Sequence, residues 1–144
     1  MRFTLIPVVA FAALVALVGC SSSDSADGSV LGANADVCTK FSAAHDELAA
    51  LATTGPGVGG DTVRWTADKD AALAKISPLA DQAEGQVKAN IQKLVSALPK
   101  DSLELTEADS VSGQAFVDNS EAVATSCDSS GTTVELAEFP LQKF

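Results

Sequence analysis

ADVCTKFSAAHDELAALA, residues 35–52, decides the fold class of this chain. Val37, Phe41, Ala44, Leu48 and Leu51 recur at spacings of 4, 3, 4 and 3 residues. That period lines them along one side of a helix and does not fit the two-residue alternation of a half-buried strand. Asn34 or Asp36 supplies an N-terminal cap, since a short side-chain oxygen accepts from backbone amides that lack a partner inside the helix. A seam of this kind belongs to a helical bundle and requires other helices to cover it.

Downstream, Gly55-Pro56-Gly57-Val58-Gly59-Gly60 cannot continue the helix, because Gly costs backbone entropy and Pro removes a donor. No Lys-Ser/Thr follows it, so it is a flexible connection and not a phosphate loop. Asp61 or Thr62 then caps a second helix with a weaker apolar face of Trp65, Ala72, Leu73 and Ile76. Trp65, the single tryptophan, is expected to anchor the core or the domain edge. Ser77-Pro78 opens a third helix, with Ala80, Ala83, Val87, Ile91, Leu94 and Leu98 on one face until Pro99 stops it. Gly85 falls inside this helix and costs roughly 1 kcal/mol relative to Ala.

Residues 100–110 form an acidic connector with too few apolar positions to define an element. A last helix over Ser112–Cys127 buries Phe116 and Val123. The sequence therefore predicts an all-α fold, a small up-down four-helix bundle over residues 34–127. The tail, 128–144, is expected to be irregular. Val134 and Leu136 alternate with Glu135 and Ala137 as in a short extended segment, and Pro140 blocks a regular continuation. With Phe139, Leu141 and Phe144 also apolar, the tail is read as packing back over the bundle; the alternative is an apolar strip offered to a partner.

Upstream, Met1-Arg2 precedes an apolar run from Phe3 to Val18, the order of parts in an export signal. At about sixteen residues the run is shorter than the roughly 20 that span a hydrocarbon core. Leu17-Val18-Gly19-Cys20, followed at once by Ser21-Ser22-Ser23-Asp24, resembles the lipobox of bacterial lipoproteins. The resemblance implies removal of residues 1–19 and diacylation of Cys20, and two acyl chains give durable membrane attachment where one is marginal. Residues 20–33 then become the lipidated cysteine and a disordered tether.

With Cys20 assigned to the anchor, Cys38 and Cys127 remain, and a disulfide between them is the simple pairing in an exported protein. Such a bond also suits an up-down bundle, in which the start of the first helix and the end of the fourth lie at the same end. The alternative is a metal site of Cys38, His45 and Cys127. His45 is the single histidine and sits on the same side of the helix as Cys38, although the close ligand spacing of zinc motifs is absent.

Removing Arg2 with the signal leaves 8 basic against 19 acidic side chains, a formal charge of −11. That balance argues against nucleic acid and anionic lipid surfaces, both of which reward basic patches. The acidic connector lacks the alternation and central glycine of an EF-hand loop. With one histidine and no G-x-S-x-G elbow, no catalytic grouping is apparent; no cofactor or metal is expected.

Taken together, Leu17 to Cys20, the Ser/Asp/Gly tether, Cys38 opening the first helix, Ser77-Pro78 before the third and Cys127 closing the last resemble small lipoproteins of mycobacteria and related actinobacteria. That resemblance implies location and fold and brings no catalytic residue. The expected function is a non-catalytic binding or interaction module on the outer face of the cell membrane, anchored by lipid on Cys20, with an envelope protein as partner. The alternatives are a carrier of a small apolar ligand or lipid between helices, and a metal-binding or enzymatic protein that uses His45.

Overall fold

The computed structural model describes residues 32–107 and 109–141. The expected signal peptide, the expected lipidation site Cys20 and residues 21–31 of the expected tether lie outside the described residues, as do Gln142, Lys143 and Phe144. In chain order the elements are α1 (Ala35–Thr54), α2 (Thr62–Ala74), α3 (Leu79–Gln82), α4 (Gly85–Ala97), a 3-10 turn η1 (Ser102–Thr106) and α5 (Val111–Ser129). The protein is all-helical, with four long helices and no strand among the described residues. No helix among them is long and apolar enough to cross a membrane.

The seam read from residues 35–52 is the buried side of α1: Val37, Phe41, Ala44 and Leu48 are buried, and Leu51 packs against the core. Gly55 ends the helix at positive φ (61°, with ψ −172°), its amide donating to the Leu51 carbonyl at 3.0 Å. Glycine takes up this backbone, which is outside the αL region, because it has no Cβ to clash. Asp61 starts α2 as expected, its carboxylate accepting from the amides of Val63 (3.0 Å) and Arg64 (3.1 Å). Trp65 is half-buried and donates its indole N–H to the Leu51 carbonyl at 2.8 Å. The indole thereby ties the first turn of α2 to the last turn of α1.

The third helix is not continuous. It divides into the single turn α3 and the longer α4, because Ala83 and Glu84 are extended and Gly85 is left-handed at φ 57°. The cause lies 50 residues away, in the buried side chain of Asn34. Its Oδ1 accepts from the Glu84 amide at 2.9 Å, and its Nδ2 donates to the Glu84 carbonyl at 3.3 Å. The Glu84 amide is thus satisfied outside any helix, and its carbonyl is shared between Asn34 and the Lys88 amide of α4 (3.4 Å), so the chain can break its helix here without losing partners. Asn34 does stand at the cap position of α1, but its side chain makes no capping bond there.

The acidic connector also holds more structure than its composition suggested. Asp101 accepts from the Leu103 amide at 2.9 Å and initiates η1, whose Leu105 is completely buried. A side chain on Gly113 would bring its Cβ to 2.6 Å from the Leu105 carbonyl oxygen, so glycine is what lets α5 lie against η1. Ser110 caps α5, its hydroxyl accepting from the Gly113 amide at 2.9 Å, and α5 runs to Ser129, two residues past the expected end at Cys127.

Cys38 and Cys127 form the disulfide, with their Cα atoms 5.9 Å apart, and join the first turn of α1 to the last turns of α5. Around it, α4 packs on α5, α1 on α2 and α5, and α3 lies against α1 and α4. The described part of the tail, from Gly131 to Leu141, is irregular and docked. Ser42 donates to the Glu135 carbonyl at 3.1 Å, and the Ala137 amide donates to the Asp46 carboxylate at 2.8 Å. Phe139 is buried, while Val134, Leu136 and Leu141 pack against the core.

Candidate functional site

Two polar centres lie inside this apolar frame. The first is built by α1, α5 and the tail. On α1, the seam that buries Phe41 also carries His45 inward, to 2 % exposure. Its imidazole stacks on Phe116 of α5, with centroids 5.4 Å apart and planes 6° from parallel. Phe41 and the tail's Phe139 flank it at 6.2 Å and 6.5 Å, and Phe139 meets Phe116 at 5.0 Å. The tail thus completes an aromatic cluster around the histidine.

Burial holds the His45 pKa below its usual 6.5; the neighbouring Asp46 opposes this, its Oδ1 lying 3.5 Å from Nδ1. Desolvation wins because the same Asp46 oxygen is shared with the Ala137 amide and is itself partly in water. The imidazole is therefore neutral at pH 7.

Beside His45 runs a cleft of about 880 Å³ between α5 and the tail. Its apolar wall is Val117, Leu136, Phe139 and Leu141, and its rim carries Glu121 and Glu138. One turn beyond Phe116, Ser120 also lines it. Ser120 is 1 % exposed, and its Oγ has no hydrogen-bond partner. Buried hydroxyls are rarely left so, because an unmet donor costs about 1–3 kcal/mol.

The second centre is Lys69 on α2, whose side chain is completely buried. Its ammonium donates to the Ser102 carbonyl at 3.1 Å and the Thr106 hydroxyl at 3.2 Å, and sits 3.7 Å from the centroid of the Trp65 ring. Desolvation lowers its pKa, with Asp101 and Asp70 opposing. Every direction from the ammonium meets a partner, so this centre fastens η1 to α2. It lines none of the described clefts.

The sequence-derived candidates separate accordingly. Cys38 and Cys127 come together as the disulfide, so the alternative metal site with His45 loses both thiolates; a metal ligand must be a free thiolate. Among the described residues no three His, Cys, Asp or Glu side chains are placed to hold a metal ion. His45 is in the core, not at the surface, and faces aromatic rings. In the acidic connector Asp101 caps η1, and among the described residues its carboxylates form no cation site.

Lys69 and Ser120 were missed. Lys69 had a signal, the i,i+4 spacing from Trp65 that stacks the two on one helix face. Ser120 had none, because its lack of a partner depends on which segments surround it. No protein-family model, curated protein or solved structure matches the chain.

Proposed function

We propose that this protein is a lipid-anchored module on the outer face of the cell membrane, which binds a partner or ligand in the envelope without catalysing a reaction. The observation that carries the reading is Leu17-Val18-Gly19-Cys20, placed between an apolar run and a Ser-rich stretch. Cleavage before Cys20 and diacylation of its sulfur would hold the domain to the membrane by two chains, with residues 21–33 as the tether. The oxidised Cys38–Cys127 pair supports an extracytoplasmic site, since cytosolic thiols are kept reduced. The likeness to small actinobacterial lipoproteins, a group of unknown function, points the same way.

The domain offered on this tether is read as an up-down-up-down bundle of α1, α2, α4 and α5. Three contacts support that order. Trp65, early in α2, bonds to Leu51, late in α1. Asn34 joins the starts of α1 and α4, and the disulfide brings the end of α5 to the start of α1. A formal charge of −11 for the mature chain favours partners other than nucleic acid.

The test is fractionation of cells expressing the chain with and without Cys20→Ser. The wild-type chain should pellet with membranes and be released by detergent, and the variant should lose the lipid mass. Wild-type protein found free in the soluble fraction would refute the anchor.

A further inference from the structure

The tail lies over the buried His45 as a strap with few fastenings. The chain leaves α5 through Gly131, at φ 89°. From Val134 to Leu141 the described backbone is held by two hydrogen bonds, both to side chains of α1. The Ser42 hydroxyl donates to the Glu135 carbonyl, and the Ala137 amide donates to Asp46. Both bonds are exposed, so water competes for them. The remaining hold is apolar: Phe139 is buried against Phe116, and Val134, Leu136 and Leu141 pack on the core.

His45 is placed to sense acid at one of these fastenings. Residues 136–139 border the same cleft as His45, and Phe139 faces the ring at 6.5 Å. The tail is thus one of the walls that keep the imidazole at 2 % exposure. Nδ1 of His45 lies 3.5 Å from the same Asp46 Oδ1 that accepts from the Ala137 amide. At that distance a neutral ring bonds weakly, and the carboxylate oxygen serves the tail. An imidazolium reverses this. Its charge is costly among Phe41, Phe116 and Phe139 unless water reaches it, and it draws Asp46 away from the Ala137 amide. Besides Asp46 on α1, the charged groups that line the cleft are Glu121 on α5 and Glu138 on the tail, with no lysine or arginine among the described residues there. Burial remains the dominant influence on the ring despite these carboxylates.

We propose that residues 134–141 are an acid-released strap: protonation of His45 undocks them from α1 while the helices stay folded, and bares the face of α1 and α5 that they cover. The strapped state favours the neutral ring. With the tail away, the ring meets water and returns to its ordinary value of 6.5. Release is therefore suppressed above pH 6.5 and favoured progressively as pH falls through it, until the lower pKa of the strapped state is reached. One proton lets the ratio of released to strapped chains rise by at most about tenfold between about pH 7.5 and pH 5.5. The disulfide ties α1 to α5 in both states, which confines the change to the tail. This device goes beyond the anchoring proposal, and nothing in it depends on Cys20.

The test is amide hydrogen exchange of the full chain with its disulfide closed, read by NMR as protection factors at the two ends of that pH range, beside the titration of the single histidine ring. The Ala137 amide should lose protection several-fold, at most about tenfold, in step with protonation of the ring. Amides of α1 from Phe41 to Leu48 should keep theirs. His45→Phe should hold Ala137 at one protection factor across the range. Ser42→Ala, which removes the other fastening, should lower that protection by the same factor at both ends and leave the pH dependence in place. Unchanged Ala137 protection in acid, the same acid loss in His45→Phe, or loss at Phe41 to Leu48 together with Ala137 would each overturn the proposal.

Discussion

Replacing His45 with phenylalanine should remove a pH dependence of stability that the buried imidazole creates. The folded-state pKa lies below 6.5, because burial disfavours the imidazolium more than Asp46 favours it. As pH falls through 6.5, the unfolded chain therefore takes up a proton that the folded chain still refuses. Stability is full above pH 6.5 and drops on acidification until the folded pKa is reached, at a slope of at most about 1.4 kcal/mol per pH unit for one proton.

Phenylalanine suits the site, since three phenylalanine rings already surround position 45 at 5.4 to 6.5 Å. It forgoes one long contact to Asp46 and keeps the stack on Phe116. The assay is urea unfolding of wild type and His45→Phe at half-unit steps from pH 8 to pH 5, read as the difference between the two so that carboxylate titration cancels. Wild type should fall progressively below the variant under pH 6.5. A flat difference, or wild type gaining on the variant in acid, would refute the account of His45 as a neutral core residue.

Three further substitutions probe the frame. Cys38→Ser with Cys127→Ser opens a loop of about 90 residues, for which chain entropy sets a ceiling of roughly 4.6 kcal/mol; an unchanged urea midpoint under non-reducing conditions would contradict its structural role. Asn34→Ala strands the Glu84 amide and should cost about 1–3 kcal/mol, with amide exchange accelerating first at residues 83–85; uniform exchange along the chain would argue that the break between α3 and α4 has another cause. Phe139→Ala empties one position of the aromatic cluster and should cost about 3 kcal/mol, releasing the tail so that amides 134–141 lose protection. Retained protection there would mean that the backbone bonds to Ser42 and Asp46 hold the tail by themselves.

What was legible in the sequence was what repeats locally. The seam of α1 follows from a 3.6-residue period that tertiary context had no reason to disturb. Asp61 capped α2 as its chemistry dictates, and Phe139 packed as an apolar side chain near a core should. The inside–outside alternation around Val134 and Leu136 was visible in the tail, though only the structure shows which helix side chains hold it.

What escaped was non-local. Residues 79–97 carry an unbroken helical period, yet the helix stops at Ala83 because Asn34, 50 residues earlier in the chain, bonds the Glu84 backbone. η1 rests on one buried leucine, Leu105, and no periodicity can be read from a single residue. Lys69 lies four residues after Trp65, which places the two on one helix face and says nothing of burial. Its burial requires Ser102, Thr106 and Trp65 to converge on one point, an arrangement that composition does not encode. Ser120 is the limiting case, a serine whose buried hydroxyl has no hydrogen-bond partner.

The claim on which the functional account depends is a lipidated, disulfide-closed module. Intact-mass spectrometry of the native membrane fraction, before and after reduction and alkylation, tests it most directly. The account predicts a mature chain that begins at Cys20 with its acyl mass, in which reduction exposes two further thiols, those of Cys38 and Cys127. A chain that retains residues 1–19, or one without acyl mass and with both thiols already free, would contradict it.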